Sequence, residues 1–127
     1  MRMALNDAGL APEDIGYINA HGTATLAGDL AEAMSIGEVF AGLRVPVSST
    51  KALHGHLLGA GGALEMLIAL EALRRQRRPV AAHLSEPDPK CDLNLVRPDQ
   101  DQGSAWQHAM SNSFAFGGTN AVLIVSA

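Results

Sequence analysis

Apolar and polar positions along the chain switch between a helical and a two-residue period, and the switches predict an ordered series of helices and strands. Residues 2–8 have helical spacing and stop at Gly9. Residues 11–14 read as a turn around Pro12. Residues 15–20 form a short, mostly buried strand, with Tyr17 and Ile18 suited to a pleated sheet. A loop over 21–28 follows. Asp29 is placed to cap a helix over 30–40, whose Leu30, Ala33, Met34, Val39 and Phe40 lie mainly along one side. The next strand is 45–48, where Pro46 either marks the start or disfavours a central ladder position.

A loop over 49–58 leads into a helix from about 59 to 76 that is apolar on nearly every side, interrupted by Glu65 and Glu71. Such a helix is normally buried over most of its surface. It is too apolar for a single-layer unit, so self-association or a partner is expected. Residues 79–84 read as extended and 86–89 as a rigid turn. Residues 93–96, 106–113 and 121–126 are strands, the last two joined by a glycine-rich turn into a hairpin. Strands alternating with helices before a closing hairpin indicate a layered α/β fold.

Composition narrows this picture. The 127 residues make one domain, 1–127, with 47% hydrophobic and 17% charged side chains and 13 glycines. A net charge of −4 argues against general nucleic-acid binding. No apolar run has transmembrane length. The single cysteine, Cys91, excludes an internal disulfide and fits a reducing cytoplasm. It adjoins no histidine and opens no helix, so it reads as a small packed residue and not as an activated thiolate.

Three segments carry candidate chemistry. In His21-Gly22-Thr23-Ala24-Thr25, a histidine at a strand end can aim a ring nitrogen into a cleft, or simply bond to nearby backbone. Thr23 and Thr25 offer hydroxyls to a polar ligand arm or cap a turn. In Ser48-Ser49-Thr50-Lys51, continuing to His54 and Gly55-His56, the lysine raises the local positive potential and favours neutral imidazoles, which can donate to a developing enolate oxygen. Glu65 is a candidate partner for Lys51. Metal binding by His54 and His56 lacks a third ligand at suitable spacing. In Asn112-Ser113-Phe114-Ala115-Phe116-Gly117-Gly118, turn N–H groups can face an oxyanion or merely close a hairpin. The arginines at 74, 75, 77 and 78 complement a helix C-terminus or dock an acidic partner.

In this order and spacing, the three segments, with Gly28-Asp29, Leu57-Leu58-Gly59-Ala60, Cys91-Asp92-Leu93 and Thr119-Asn120, resemble the C-terminal half of β-ketoacyl-[acyl carrier protein] synthases. The resemblance implies a thiolase-like fold, C-terminal half only: a layered mixed sheet with helices and a closing hairpin. It implies decarboxylative Claisen condensation of an acyl thioester with a malonyl-carrier protein in fatty acid or polyketide synthesis. It further implies that His21 and His56 are the active-site histidines and that Lys51, tied to Glu65, organises them. Thr23 and Thr25 would bond the phosphopantetheine arm. Phe116 would be the gating phenylalanine, its N–H in the oxyanion hole. His54 stands where other members carry a different residue and receives no catalytic role.

No cofactor is implied beyond the phosphopantetheine of acyl carrier protein, which is the expected partner. A cysteine-bearing N-terminal half or a partner synthase subunit, in an oligomer, is also expected. The nucleophilic cysteine has no counterpart among these residues, so the chain should be unable to form an acyl-enzyme alone. The alternative is a non-catalytic, chain-length-factor-like subunit or interaction module.

Overall fold

The computed structural model describes residues 1–99, 103 and 105–127. Helix α1 (Arg2–Ala8) ends at Gly9, whose φ of 66° lets its N–H return to Asn6 and Leu5 carbonyls. Strand β1 (Ile15–Asn19) follows, then helix α2 (Leu26–Phe40), strand β2 (Pro46–Ser48), a one-turn helix α3 (Lys51–His54) and helix α4 (Gly61–Arg75). Strands β3 (Asn94–Leu95), β4 (His108–Phe114) and β5 (Asn120–Ser126) complete the chain.

The five strands form one sheet in the order β3-β2-β1-β4-β5. The first four run parallel, and β5 pairs antiparallel to β4 from Phe114 opposite Asn120 to His108 opposite Ser126. This is the closing hairpin that the pattern predicted, on the mixed sheet that the resemblance implied. Pro46 is the first residue of β2, where its missing N–H costs little.

Alternation along the strands sends side chains to two cores. Ile15, Ile18, Val47 and Met110 meet Leu5 of α1 and Ile36 and Phe40 of α2. Tyr17, Ala109, Val96 and Trp106 meet Ala69, Ala72 and Leu73 of α4. The sheet is therefore covered on both faces, not one. Gly16 makes room for the Trp106 ring, because a Cβ there would lie 2.3 Å from Trp106 Cβ.

Several expected boundaries shift. Helix α2 starts at Leu26, so Asp29 lies in its first turn instead of capping it. Its buried stripe is Glu32, Ala33, Ile36 and Phe40, while Met34 is exposed. The loop expected over 49–58 contains α3, and α4 begins two residues late. Residues 79–84 form no strand, although Ala81 donates to the Val96 carbonyl. Trp106 precedes β4. Helix α4 buries one stripe, Gly61, Glu65, Ala69, Ala72 and Leu73, and leaves Leu67 62% exposed. Its remaining apolar surface is only partly covered.

Candidate active site

Parallel strands point their carboxyl ends the same way, so the loops leaving β1, β2 and β4 gather at one end of the sheet. That topology brings distant residues together. His21 follows β1, and its ring stands edge-on to His56, 5.5 Å between centroids and 87° between planes. The ring of Phe114, the last residue of β4, lies 5.9 Å from that of His21, between centroids, at 57°.

The His21 loop is held by a carboxylate. Glu32, nearly buried on α2, accepts from the N–H of His21 and of Gly22, each at 2.9 Å. It also accepts from Asn112 Nδ2 at 3.0 Å. One side chain thereby ties the loop after β1 to β4. Gly22 is required here: its φ is +37°, and a Cβ would approach Ser49 Cβ to 2.6 Å. Ser49 donates to the Gly22 carbonyl at 3.0 Å, joining the first loop to the second.

Lys51 of α3 and Glu65 of α4 form a buried ion pair. Lys51 Nζ is 2.5 Å from Glu65 Oε1, with only 6% and 2% of their side chains exposed. Buried charges persist only when paired, so this ammonium and carboxylate fix each other. A Cβ on Gly61 would lie 3.9 Å from both Glu65 Oε1 and His56 Nδ1, so both groups flank the start of α4. Asn19 Nδ2 donates to Thr50 Oγ1 at 3.2 Å and to the Glu65 carbonyl at 3.3 Å, linking β1, α3 and α4.

The hydrogen bonds settle one tautomer. The Leu58 N–H donates to His56 Nδ1 at 3.3 Å, which leaves the proton of a neutral ring on Nε2. His56 can therefore offer an N–H to an acceptor in front of it. His21 is held below the ordinary histidine pKa, first by burial and then by the Lys51 charge. Both effects favour a neutral ring that is a hydrogen-bond donor and a poor base.

The other expected site residues sit as follows. Thr23 and Thr25 lie on the His21 loop with their hydroxyl oxygens 3.5 Å apart. Phe116 is on the turn between β4 and β5 with a fully exposed ring; the phenylalanine against His21 is Phe114. Cys91 lies in the connection before β3, and burial, then Asp88 and Asp29, push its thiol up. That is the wrong direction for a nucleophile. Among the described residues, no three His, Cys, Asp or Glu side chains are grouped to hold a metal ion.

The site is an open shelf. His56 is exposed, and Leu26, Leu53, Leu58 and Phe116, in the same loops and at the start of α2, are 64–103% exposed. Surface hollows of about 150 and 240 Å³ near Leu43, Arg44 and Val45 are lined by none of the site residues. No helix among the described residues is long and apolar enough to cross a membrane.

Sequence reasoning missed Glu32 and Phe114. A signal for Glu32 existed: at four-residue spacing it falls on the stripe of Ile36 and Phe40. An acid on a buried stripe needs a partner, and here the partners are loop N–H groups.

Comparison with known proteins shows the family and the fold. The family model for the beta-ketoacyl synthase C-terminal domain matches residues 1–85. A 3-oxoacyl-[acyl-carrier-protein] synthase 2 of Coxiella burnetii is 47% identical over 99% of this chain and 31% of its own length. A β-ketoacyl synthase from Burkholderia phymatum superposes with a TM-score of 0.92 at 42% identity, over 99% of this chain and 31% of that one. A ketosynthase solved in complex with its chain length factor, from Xenorhabdus doucetiae, superposes with a TM-score of 0.85 at 41% identity, over 100% of this chain and 32% of that one. The chain thus spans less than a third of the length of these relatives.

Proposed function

The chain belongs to the β-ketoacyl synthase family, through its C-terminal domain, and on that premise we propose that it supplies the histidine and lysine wall of a 3-oxoacyl-[acyl-carrier-protein] synthase. The observation that carries this reading is the convergence of His21 and His56, 5.5 Å apart, with Lys51, paired to the buried Glu65, acting on His21 by its charge.

The chemistry follows from the ring states. A malonyl thioester places its carbonyl oxygen between the two imidazoles. The carbon–carbon bond to the carboxylate breaks, CO2 leaves, and the electron pair passes through the α-carbon to that oxygen. The His56 Nε2–H and a ring N–H of His21 stabilise the enolate charge, which is stronger in the transition state than in the bound ester. The enolate carbon then attacks an acyl thioester carbonyl; a carbon–carbon bond forms, a carbon–sulfur bond breaks, and a thiolate departs. Lys51 by its charge adds to burial in favouring the neutral His21 ring, and Glu65 keeps Lys51 in place. Glu32 and Phe114 position His21. Thr23 and Thr25 bond the phosphopantetheine arm of acyl carrier protein, and the N–H of Phe116 serves the oxyanion.

The acyl group is held by a cysteine outside these 127 residues, and the segment carrying it closes the open shelf. Cys91 takes no part. The chain-length-factor reading rests on the Xenorhabdus complex. It leaves the His21, Lys51 and His56 arrangement without a use, so the catalytic reading is preferred.

The test is decarboxylation of malonyl-carrier protein by this chain combined with a cysteine-bearing synthase portion. His21→Ala and His56→Ala should each lower the rate by at least about a hundredfold. Unchanged rates in both variants would remove the reading. Intact-mass analysis of the chain alone with an acyl thioester should show no adduct, and stable acylation of Cys91 would overturn that part.

A further inference from the structure

The turn that delivers Lys51 and His56 is short for the precision it must have. Helix α3 has four residues and no side-chain cap at Thr50. Its own closing bonds are Leu53 N–H to the Thr50 carbonyl at 3.0 Å and Gly55 N–H to the Lys51 carbonyl at 2.8 Å. One helical turn is unstable by itself, because nucleation orders several residues for few bonds. His54, which the mechanism does not use, spans this turn. Its Nε2 lies 3.0 Å from Thr50 Oγ1 at one end, and its Nδ1 lies 2.7 Å from the Gly55 carbonyl at the other.

We infer that His54 is a positioning residue: a neutral Nδ1–H imidazole that staples the Lys51–His56 turn from Thr50 to Gly55. The tautomer follows from the partners. A carbonyl can only accept, so Nδ1 carries the proton, and the Nε2 of a neutral ring accepts from the Thr50 hydroxyl, whose other acceptor, Asn19 Oδ1, is farther away at 3.4 Å against 3.0 Å. Thr50 Oγ1 then receives Asn19 Nδ2–H at 3.2 Å with a free lone pair. The result is a one-way chain, from the Asn19 amide through the Thr50 hydroxyl to His54 and on to Gly55. Asn19 also donates to the Glu65 carbonyl, so the chain anchors the turn to β1 and α4 together. His54 and His56, two residues apart, carry their protons on opposite nitrogens.

This inference rests on the reading above only for what the turn delivers; its test reads the turn and not condensation. Ring nitrogen NMR of the 127-residue chain, well above the ordinary histidine pKa of about 6.5, reports each tautomer. His54 should be Nδ1–H, against the Nε2–H form that His56 shows. The second arm uses amide exchange at Leu53 and Gly55. His54→Phe keeps a ring without nitrogens and should speed exchange at both about tenfold. His54→Gln keeps a group near Nε2 and His54→Asn one near Nδ1, so each should restore part of the protection. An Nε2–H tautomer at His54 overturns the inference. Unchanged exchange in the Phe variant, or no rescue by either amide, overturns it as well. If the Phe variant does not fold, the tautomer decides.

Discussion

Glu65→Gln should be among the most damaging single changes to stability in this chain, and the structure gives its scale. Lys51 Nζ and Glu65 Oε1 are 2.5 Å apart with both side chains almost fully buried. At an effective dielectric of about 20 their attraction is roughly 7 kcal/mol, most of which offsets the cost of taking both ions out of water. Removing one charge leaves the ammonium buried and uncompensated, a loss of about 3–5 kcal/mol. With a urea slope of about 2 kcal/mol per molar, the midpoint falls by roughly 2 M. The double change Lys51→Met with Glu65→Leu removes both ions and should recover most of that loss, because apolar replacement of a buried pair is often neutral. The assay is urea unfolding of wild type, Glu65→Gln, Lys51→Met, Glu65→Leu and the double, the last three read with wild type as a cycle. A Glu65→Gln midpoint within about 0.3 M of wild type would refute the reasoning. So would a double variant as unstable as the sum of the singles.

Other consequences are as direct. Gly22→Ala forces a Cβ against Ser49 at positive φ and should cost about 1–3 kcal/mol, seen as a lower urea midpoint; an unchanged midpoint would count against the loop geometry. Glu32→Gln leaves one of the carboxylate oxygens replaced by an amide that donates, facing an N–H, and should cost about 2 kcal/mol while shifting the His21 and Gly22 amide resonances; unmoved resonances would contradict the clamp. His21 is held below its unfolded pKa, so the unfolded chain takes this proton first. The stability it contributes is full above about pH 6.5 and is lost as pH falls through the folded value, which Tm against pH should show for wild type and less for His21→Gln. Cys91, with its thiol pushed up, should react with a thiol reagent near pH 7 no faster than a free cysteine, and faster reaction would argue against its passive role.

Much of this site could be read in advance because glycine-rich segments concentrate polar groups that have no structural use. His21, Lys51 and His56 were candidates on that ground and took their roles from the resemblance of the three segments in order, and parallel topology brought their loops to one end of the sheet. The strands at β1 and β2 and the β4–β5 hairpin were legible from buried apolar runs and a Gly-Gly turn. The face of α2 was less so. Its apolar content is spread round the helix, and the true stripe includes Glu32, which looks like an ordinary surface acid until its backbone partners are known. The resemblance singled out Phe116, and nothing in the residues themselves marked Phe114 as the ring beside His21. The two differ only in that Phe114 ends a strand against His21 and Phe116 projects from a turn. Helix α4 was read as buried on most sides, but the folded chain has a sheet for only one of its faces.

The most direct trial of two imidazoles sharing one ligand oxygen is to titrate a malonyl pantetheine thioester into the chain while following ring nitrogen signals. The account predicts that His21 and His56 shift together with one saturation curve, while His83 and His108 stay fixed. Movement of one ring alone, or of neither at saturating thioester, would contradict it.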